Sequence, residues 1–134
     1  MFTYDIKDVN IIVDGVVITG LAEGSVITTE KNEDNFSTHV GVKGEVTFAE
    51  TNDPTGTIAI TLKNTSPQIA YLESLASRTG ENAIISVQII DLNTNAVNVS
   101  GNECRVMKSA DKEYSNEETE REYNIMVADY TVTI

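Results

Sequence analysis

The clearest structural signal in the chain is the run Gly56-Thr57-Ile58-Ala59-Ile60-Thr61-Leu62. From residue 57 onward, isoleucine or leucine occupies the even positions and threonine or alanine the odd ones. This alternation has the period of a β-strand with one buried face. The preceding Asn52-Asp53-Pro54-Thr55-Gly56 favours a turn, because proline and glycine supply the backbone angles that a chain reversal needs. We therefore predict a strand that begins directly after a turn.

Further strand signals lie on both sides of this run. Val9–Val13 is apolar apart from Asn10 and is followed by Asp14-Gly15, a dipeptide typical of tight hairpins. Val16-Val17-Ile18 then predicts the returning strand. Ile84–Asp91 and Val97–Lys108 predict two more strands, the second interrupted by Gly101. Shorter signals are a turn between Gly20 and Gly24, a strand over Val26-Ile27-Thr28-Thr29, and a turn at Asn93-Thr94-Asn95.

Residues 36–48 repeat the alternating pattern with apolar residues at even positions, namely Phe36, Val40, Val42, Val46 and Phe48. Their odd-numbered neighbours are polar or glycine. The pattern predicts a half-buried strand, with a bend or bulge at Gly41 and Gly44. The polar segment Lys31–Asn35 before it predicts a loop.

One segment favours a helix instead. Thr65-Ser66-Pro67-Gln68 combines a capping side chain with a proline suited to a first helical turn. Ile69, Leu72, Leu75 and Ala76 then fall on one helical stripe, and Gly80 is a typical stop signal. We predict a helix of about three turns from Pro67 to Thr79, covering a sheet or a neighbouring subunit.

The C-terminal part contains a charged stretch and a change of parity. Asp111–Glu122 is typical of a solvated loop or hairpin tip, with a short helix as the alternative. Apolar residues then occupy odd positions up to Val127 and even positions from Tyr130, which predicts a bulge or a bend between sheets near Ala128-Asp129. Altogether we predict a single mainly β domain over residues 1–134, a two-sheet sandwich or barrel with one flanking α-helix.

The charge balance disfavours two classes of function. The chain has 9 Lys and Arg against 21 Asp and Glu, a formal net charge of -12. Such a surface repels nucleic acid and anionic lipid, so DNA reading and membrane docking are disfavoured. The negative charge is consistent with a role in solubility alone. It is also consistent with a surface along which a polyanion passes without binding. A single cysteine, no signal-peptide pattern at Met1–Asp8 and no apolar run of membrane-spanning length predict a reducing, cytoplasmic site of synthesis.

The residues that could carry chemistry do not form a convincing set. His39 is the only histidine, and Cys104, the only cysteine, lies on an alternating strand where it should be buried. Carboxylates cluster in polar segments at Glu30, Glu33 and Asp34 and at Glu117, Glu118, Glu120 and Glu122, without aromatic residues to hold a sugar. We predict no enzyme activity, no metal site and no cofactor.

Several short pieces, in their order along the chain, resemble a known family. They are Tyr4-Asp5-Ile6-Lys7-Asp8-Val9, Gly20-Leu21-Ala22-Glu23-Gly24-Ser25, Glu33-Asp34-Asn35-Phe36, Gly41-Val42-Lys43-Gly44-Glu45-Val46, Gly56–Leu62, Asn64-Thr65-Ser66-Pro67 with Leu72-Glu73-Ser74-Leu75, and Arg121-Glu122-Tyr123. Nearly the whole chain in this way resembles the tail-tube proteins of contractile-tailed bacteriophages and of the phage-tail-like bacteriocins derived from them.

The resemblance implies a structural protein of a virion tail or tail-like particle, assembled in the cytoplasm of a bacterial host. Six subunits would form a ring, their inner sheets joining into one β-barrel around a channel, and stacked rings would form the tube. The implied partners are further copies of the chain, a tail sheath protein, a tape-measure protein and a baseplate hub. DNA would pass through the acidic lumen of a phage tube without specific binding, because phosphates find no cationic anchor there.

Three sets of residues are candidates for these contacts. For ring stacking, the polar segment from Glu30 to Gly44 offers Glu30, Lys31, Glu33, Asp34, Phe36 and Lys43, although a merely exposed loop is an equal alternative. For lining the lumen, the outward positions of the central strands are Glu45, Thr47, Thr57 and Thr61. For contacts of the helix with the next subunit, the candidates are Tyr71, Glu73 and Arg78, although packing within the subunit is an equal alternative.

Three alternative functions remain open from the sequence. The tube protein of a type VI secretion system also assembles into rings, but it belongs to a machine that exports effectors. A monomeric ligand-binding β-sandwich, such as a carbohydrate-binding module, would instead be a compact monomer with exposed aromatic residues on one face. An acidic hydrolase is the third alternative.

Overall fold

The structure is a computed structural model that describes residues 3–22, 27–94 and 96–134. Its strands are β1 Val9–Val13, β2 Val16–Val17, β3 Ile27–Lys31, β4 Phe36–Val40, β5 Val46–Glu50, β6 Gly56–Lys63, β7 Ile85–Asp91, β8 Asn98–Val106, β9 Glu120–Val127 and β10 Thr131–Thr133. The α-helix α1 spans Ile69–Ala76, and short 3₁₀ helices span Ile6–Asp8 and Gly80–Ala83.

Eight of the strands form one antiparallel sheet. Its order is β2-β1-β7-β8-β9-β6-β3, and β10 pairs with β8 beside this path. The strands β4 and β5 pair only with each other, as a separate hairpin. The predicted mainly β fold with one flanking helix is therefore confirmed.

The large sheet folds over itself into two layers around one core. β1 and β6 are four positions apart in the strand order, yet Ile11 and Val13 of β1 share a buried cluster with Ile58, Ile60 and Leu62 of β6. Burying one face of β1, β6, β7, β8 and β9 in this way removes apolar surface from water, which is the main force favouring the folded chain. The layers form a sandwich and leave β2 and β3 as the two ends of an open sheet in the described part of the chain.

Strand β6 has the alternation that its sequence predicts. Ile58, Ile60 and Leu62 are fully buried, while Thr57, Ala59 and Thr61 on the opposite face are half-buried. The tight β1–β2 hairpin is confirmed as well, since Asp14 and Gly15 both have positive φ angles, 49° and 85°. Two positive φ angles in a row match the right-handed twist of a two-stranded hairpin.

The segment between β2 and β3 ties the two layers together. The N–H of Ile18 bonds to the carbonyl of Ile11, whereas the N–H of Ala22 bonds to the carbonyl of Thr61 at 3.1 Å. Gly20 has a φ angle of 71°, and a Cβ there would come within 2.8 Å of the Ser66 Cβ. Glycine is therefore needed where this segment crosses from one layer to the other. The predicted Gly24 turn and the start of the predicted strand at Val26 lie outside the described residues, as does Asn95.

Strand β8 belongs to both layers. Its first half pairs with β7 and β10, and its second half, Cys104–Val106, pairs with β9. The register with β7 shifts between the pairs Val87↔Gly101 and Ile85↔Cys104, which marks a bulge. The Asp129 carboxylate accepts the backbone N–H groups of Asn102 and Glu103 at 3.0 Å and so holds this bulge.

This bulge explains the change of parity near the C-terminus. After Val127 the chain turns and continues as β10, which pairs with the other half of β8 at Thr131↔Ser100. The predicted bend between the two parts of the sheet is therefore confirmed. The charged segment contains no helix, and residues 111–119 form the predicted loop. Its last residues, Glu120–Glu122, belong instead to β9.

The helix α1 is shorter than the predicted three turns. Leu72 and Leu75 are buried as predicted, but the helix ends at Ala76 and Gly80 instead begins a 3₁₀ segment. The hydroxyl of Ser77 bonds to the carbonyl of Ser74 at 2.8 Å, which satisfies one of the terminal carbonyls without a glycine. The Gly80 stop was therefore placed too late.

The helix also begins later than predicted. Thr65 does not cap it: the Ser66 hydroxyl donates to the carbonyl of Thr19 at 2.6 Å and accepts a long bond of 3.4 Å from the Gln68 N–H. Ser66 therefore links the approach to α1 with the crossing segment, and α1 starts at Ile69.

The half-buried strand predicted for residues 36–48 was wrong in two respects. The segment forms two strands, β4 and β5, joined by a turn in which the N–H of Gly41 bonds to the carbonyl of Glu45 at 2.7 Å. Every residue from Phe36 to Glu50 is exposed. Lys31, predicted in a loop, belongs to β3. The alternation correctly assigned one apolar face, but no other element of the described chain buries it.

Candidate assembly surface

Four strand segments form a layer with an unpaired backbone edge on each side. We call it the assembly layer: it consists of Cys104–Val106 of β8, then β9, β6 and β3. In the described residues β3 pairs only with β6, and Arg105 and Val106 pair only with β9. Unpaired edges invite pairing with another chain, so both sides of this layer are candidate contact sites.

The face of the assembly layer that points away from the core is polar. Thr57 and Thr61, two of the predicted lumen residues, lie on this outer face and are half-buried. The Thr57 hydroxyl donates to Oδ1 of Asn32 at 2.9 Å. The registers place the following residues on the same face: Thr28, Glu30, Ala59, Lys63, Glu120, Glu122, Asn124 and Met126.

The β4–β5 hairpin has one apolar and one polar face. Phe36, Val40, Val46 and Phe48 lie on the apolar face and are between 55% and 67% exposed. Ser37, His39, Thr47 and Ala49 occupy the opposite face, and Glu45 lies in the turn just before β5. The predicted lumen residues Glu45 and Thr47 are therefore on the hairpin, apart from Thr57 and Thr61 on β6.

The predicted ring-stacking residues all lie along one exposed arm. Glu30 and Lys31 end β3, Glu33 and Asp34 lie in the connection to β4, Phe36 begins β4, and Lys43 lies in the turn of the hairpin. The Lys31 ammonium donates to the side-chain oxygen of Asn35, which steadies the start of this arm.

A groove lies on the outer face beside the β8 edge. It is lined by Ile84, Glu103, Arg105, Met107, Met126 and Ala128 and has a volume of about 360 Å³. Met107 is 61% exposed and Ile84 42%. In the sequence the only sign of this groove is that Met107 and Met126 fall on outward positions of alternating strands. Their meeting depends on the register between β8 and β9.

The three predicted inter-subunit residues of the helix segment have different surroundings. Tyr71 donates its hydroxyl to the carbonyl of Val13 at 3.2 Å. Glu73 accepts hydrogen bonds from Ser109 at 2.6 Å and Tyr123 at 2.7 Å. Arg78, beyond the end of α1, is more open, with its guanidinium 3.9 Å from the Asp14 carboxylate on an exposed surface.

The Glu73 carboxylate is the centre of a polar cluster that sequence reasoning missed. Besides Ser109 and Tyr123, the Lys112 ammonium lies 3.1 Å from Oε1. Burial raises the pKa of Glu73, but the three donors and the charge of Lys112 outweigh burial and lower it to about 2. Burial, together with the bond to Glu73, raises the pKa of Tyr123 beyond its ordinary value. The cluster fastens the loop after β8 and the helix α1 onto β9.

The residues considered for catalysis do not come together. Cys104 is fully buried, and burial raises the pKa of its thiol to about 11, which keeps it protonated and unreactive at neutral pH. His39 lies on the exposed hairpin. In residues 3–22, 27–94 and 96–134 no three His, Cys, Asp or Glu side chains are grouped as metal ligands. None of the helices in these ranges has the length and apolar character to cross a membrane.

Several solved structures share this fold. The cap that terminates the tube of the anti-feeding prophage matches with a TM-score of 0.62 and 11% identity, over 99% of this chain and 92% of that chain. The sheath/tube terminator of the PVC extracellular contractile injection system matches at 0.58 and 10%, over 100% and 99%. A chain of the PVC sheath–tube complex matches at 0.56 and 10%, over 98% and 91%. A search of curated protein sequences found no match.

These structures share with the chain the overall fold and not a closely related sequence. The chain belongs to the family described as Bacteriophage PhiTE tail tube protein, whose model matches residues 1–133. It is accordingly a structural component of a phage tail or tail-like particle, and the family is not one of enzymes.

Proposed function

We propose that this chain is a single-domain tube subunit that assembles with copies of itself into six-membered rings, which stack into a hollow tube. The observation that carries the proposal is the pair of unpaired edges on the assembly layer, formed by β3 on one side and by Arg105 and Val106 of β8 on the other. When each copy pairs its β3 with the β8 of the next, the ring closes and no edge of the assembly layer remains exposed.

The strand directions suit such a closure. The four segments β8, β9, β6 and β3 are antiparallel to their neighbours, so their directions alternate across the layer. An even number of strands therefore places β3 of one copy antiparallel to β8 of the next. Antiparallel pairing across the subunit boundary continues the hydrogen-bond pattern of the layer without a change of type.

The polar outer face of the assembly layer is the proposed lumen wall. Thr57 and Thr61 lie on it together with Glu30, Glu120 and Glu122. Six copies of four strands at about 4.8 Å per strand, tilted by about 35–45°, give a barrel roughly 45–50 Å across between backbones. On this wall the acidic residues Glu30, Glu120 and Glu122 outnumber the cations Lys63 and Arg105. In a phage, DNA would therefore pass along it without strong binding, after a tape-measure protein had occupied the space.

The exposed arm from Glu30 to Gly44 is the proposed contact between rings. It carries Glu30, Lys31, Glu33, Asp34, Phe36 and Lys43, all exposed and with both signs of charge. Glu45 and Thr47 of the hairpin would face the lumen from its polar side. Arg78, beyond the end of α1, remains open for contact with a neighbouring subunit. Tyr71 and Glu73 hold α1 in place through their hydrogen bonds to β1 and β9.

The proposed partners outside the tube are a tail sheath protein and a baseplate hub. One structure of similar fold is a chain from a sheath–tube complex, which supports a sheath as partner. The particle would be assembled in the cytoplasm of a bacterial host. A second candidate function is that of a tube terminator, since two of the similar structures are a cap and a sheath/tube terminator.

Negative-stain electron microscopy of the purified chain over a range of concentrations tests the proposal. Rings with a central hole that stack into tubes are expected for a tube subunit. Rings that stay single at high concentration would favour the terminator function. Compact monomers at every concentration, confirmed by analytical ultracentrifugation, would overturn the proposal in favour of a monomeric sandwich.

A further inference from the structure

The ladder that joins β3 to β6 does not continue directly into the β4–β5 hairpin. The first ladder ends at the pair Lys31↔Gly56, and the second begins at the pair Phe36↔Glu50. We call the chain between these two pairs the junction. It has four residues on the β3–β4 side and five on the β5–β6 side. An extra residue on one strand is a bulge, which bends a two-stranded ribbon, so the direction of the hairpin is decided at the junction.

On the outer face, the side chain of Asn32 ties the junction to the assembly layer. Its Nδ2 donates to the Thr55 hydroxyl at 2.8 Å, and its Oδ1 accepts the Thr57 hydroxyl at 2.9 Å. The same Nδ2 lies 3.6 Å from Sδ of Met126, close enough for a hydrogen bond to sulfur. Both ends of the amide group are therefore used, and Asn32 joins the start of the arm to β6 and β9.

The hydrogen bonds of Thr55 continue this network across the junction. Its hydroxyl donates to the Asp53 carboxylate at 2.6 Å, and its N–H donates to the same oxygen at 3.0 Å. A hydroxyl has a single hydrogen to donate, so Thr55 must accept the bond from Asn32. The N–H of Asn32 also bonds to the carbonyl of Thr55 at 3.1 Å. Asn32, Thr55 and Asp53 thus form a chain of hydrogen bonds from one side of the junction to the other.

On the inner face, Tyr130 supports the junction from the side of the core. Its N–H donates to the carbonyl of Pro54 at 3.1 Å, and its hydroxyl bonds to that of Thr29 on β3. Its ring packs against Gly56, where an added Cβ would collide with Cδ2 of Tyr130. The start of β6 is therefore clamped between Asn32 on one face and Tyr130 on the other.

We propose that this two-sided clamp sets the direction of the β4–β5 hairpin within a single free chain, with Asn32 as the positioning residue on the outer face. An isolated two-stranded hairpin is only marginally stable in water, and every residue from Phe36 to Glu50 is exposed, so the core does not orient this one. The bonds across the bulge orient it instead. An arm that already points in one direction loses less conformational entropy when it makes a contact, which favours binding. The clamp acts inside one chain and does not depend on the proposed rings or tubes.

Pulsed electron paramagnetic resonance between two spin labels measures how firmly the hairpin is held. Ser37→Cys places one label on the hairpin, and Gln88→Cys places the other on β7 in the opposite layer, both at exposed positions. The native Cys104 is fully buried, so it stays in the background, and the chain without added cysteines controls for its labelling. Labelled chains are diluted into an excess of unlabelled chains, at a concentration where ultracentrifugation detects only monomers, so that the distance is measured within one chain.

The native chain is expected to give one narrow distance distribution, and Asn32→Ala is expected to widen it at least twofold. Asn52→Ala is the matched control, because Asn52 lies on the other side of the same junction, is exposed, and takes no part in the network around Thr55. Thr55→Ala should also widen the distribution, whereas Thr55→Ser keeps the hydroxyl and should leave it narrow. Asn32 lies outside the core, so thermal unfolding of Asn32→Ala should remain native and the width reports the junction alone.

Two results would overturn the proposal. A native distribution as wide as that of Asn32→Ala would show a freely moving hairpin. Equal widths for Asn32→Ala and Asn52→Ala would show that Asn32 does not position it. Either result leaves the proposed tube function standing, whereas a native chain with a narrow distribution that never assembles would support the clamp and overturn the tube.

Discussion

The hydroxyl of Tyr123 donates a hydrogen bond of 2.7 Å to Oε1 of Glu73 and thereby joins the middle of β9 to the helix α1. Tyr123 is fully buried, so its hydroxyl has no access to water as an alternative partner. A buried donor without a partner is costly, which makes this bond important for the stability of the fold.

The first prediction concerns this bond. Glu73→Ala leaves the buried Tyr123 hydroxyl without its acceptor and should lower the free energy of unfolding by about 2–3 kcal/mol. Tyr123→Phe removes the hydroxyl itself, and Glu73 keeps Ser109 and Lys112, so a loss of about 1–2 kcal/mol is expected. Urea denaturation followed by circular dichroism measures both. Tyr4→Phe, at a residue 68% exposed, is the control and should have almost no effect. Equal stability of all three variants would contradict the assigned role of Glu73.

The second prediction concerns pH. The pKa of Glu73 is lowered to about 2 in the folded chain from an ordinary value of 4.5, so its ionised form stabilises the fold. This contribution is fully present above about pH 4.5 and is lost as the pH falls towards 2. The difference in unfolding free energy between the native chain and Glu73→Gln should therefore shrink over this interval. Glu81→Gln, at an exposed 3₁₀ position, provides the matched control. A difference that stays constant between pH 6 and pH 2.5 would contradict the prediction.

The third prediction concerns the bulge of β8. A Cβ on Gly101 would collide with Cγ1 of Val127 and come within 3.0 Å of Sγ of Cys104, both in the core. Gly101→Ala should lower the free energy of unfolding by about 1–3 kcal/mol, because the packed core has no room for the added methyl group. Thermal unfolding measures the loss, and Ser100→Ala, the adjacent position, should change stability by no more than about 0.5 kcal/mol. In a chain that already carries Val127→Ala, Gly101→Ala should lower the free energy of unfolding by a smaller amount. If the effects of the two substitutions simply add in the double variant, the steric explanation is contradicted.

The fourth prediction separates folding from assembly. Replacement of residues 33–51 by a short Gly-Ser linker removes the hairpin. The two points that the linker joins stay close, because the Asn32 N–H bonds to the Thr55 carbonyl at 3.1 Å. Every residue removed except Thr51 is exposed, so the free energy of unfolding of the shortened chain should lie within about 1 kcal/mol of that of the native chain. Assembly into tubes should be lost. Substitution of both Phe36 and Phe48 by serine keeps the hairpin and should also weaken assembly. Tubes formed by the shortened chain would contradict the prediction.

The sequence predicted most of the fold because most strands carry their own pattern. Ile58, Ile60 and Leu62 alternate with smaller residues, and the resulting strand lies where it was predicted. The same reasoning failed on Phe36 and Phe48, since alternation shows that a strand has one apolar face but not what covers that face. The helix end was missed because the hydroxyl and N–H of Ser77 and the N–H of Arg78, and not Gly80, satisfy its terminal carbonyls.

The site was harder to predict than the fold because its residues meet only through long-range pairing. Glu73 falls on a polar position of a short helix, and its partners Ser109 and Tyr123 are 36 and 50 residues away. The groove depends on the register Arg105↔Met126, which no local pattern determines. The exposure of the polar segment Lys31–Asn35, by contrast, was predictable from its composition.

The strand count of the assembly layer has a consequence for the size of the proposed ring. Each copy contributes four strands, which is an even number. Neighbouring strands are therefore antiparallel at every subunit boundary, whether the ring contains five, six or seven copies. Strand polarity therefore does not select the number of copies, and the angle between adjacent copies must do so. Side-chain volume at the boundary sets that angle, so variants there could change the ring's symmetry while each copy keeps its native fold.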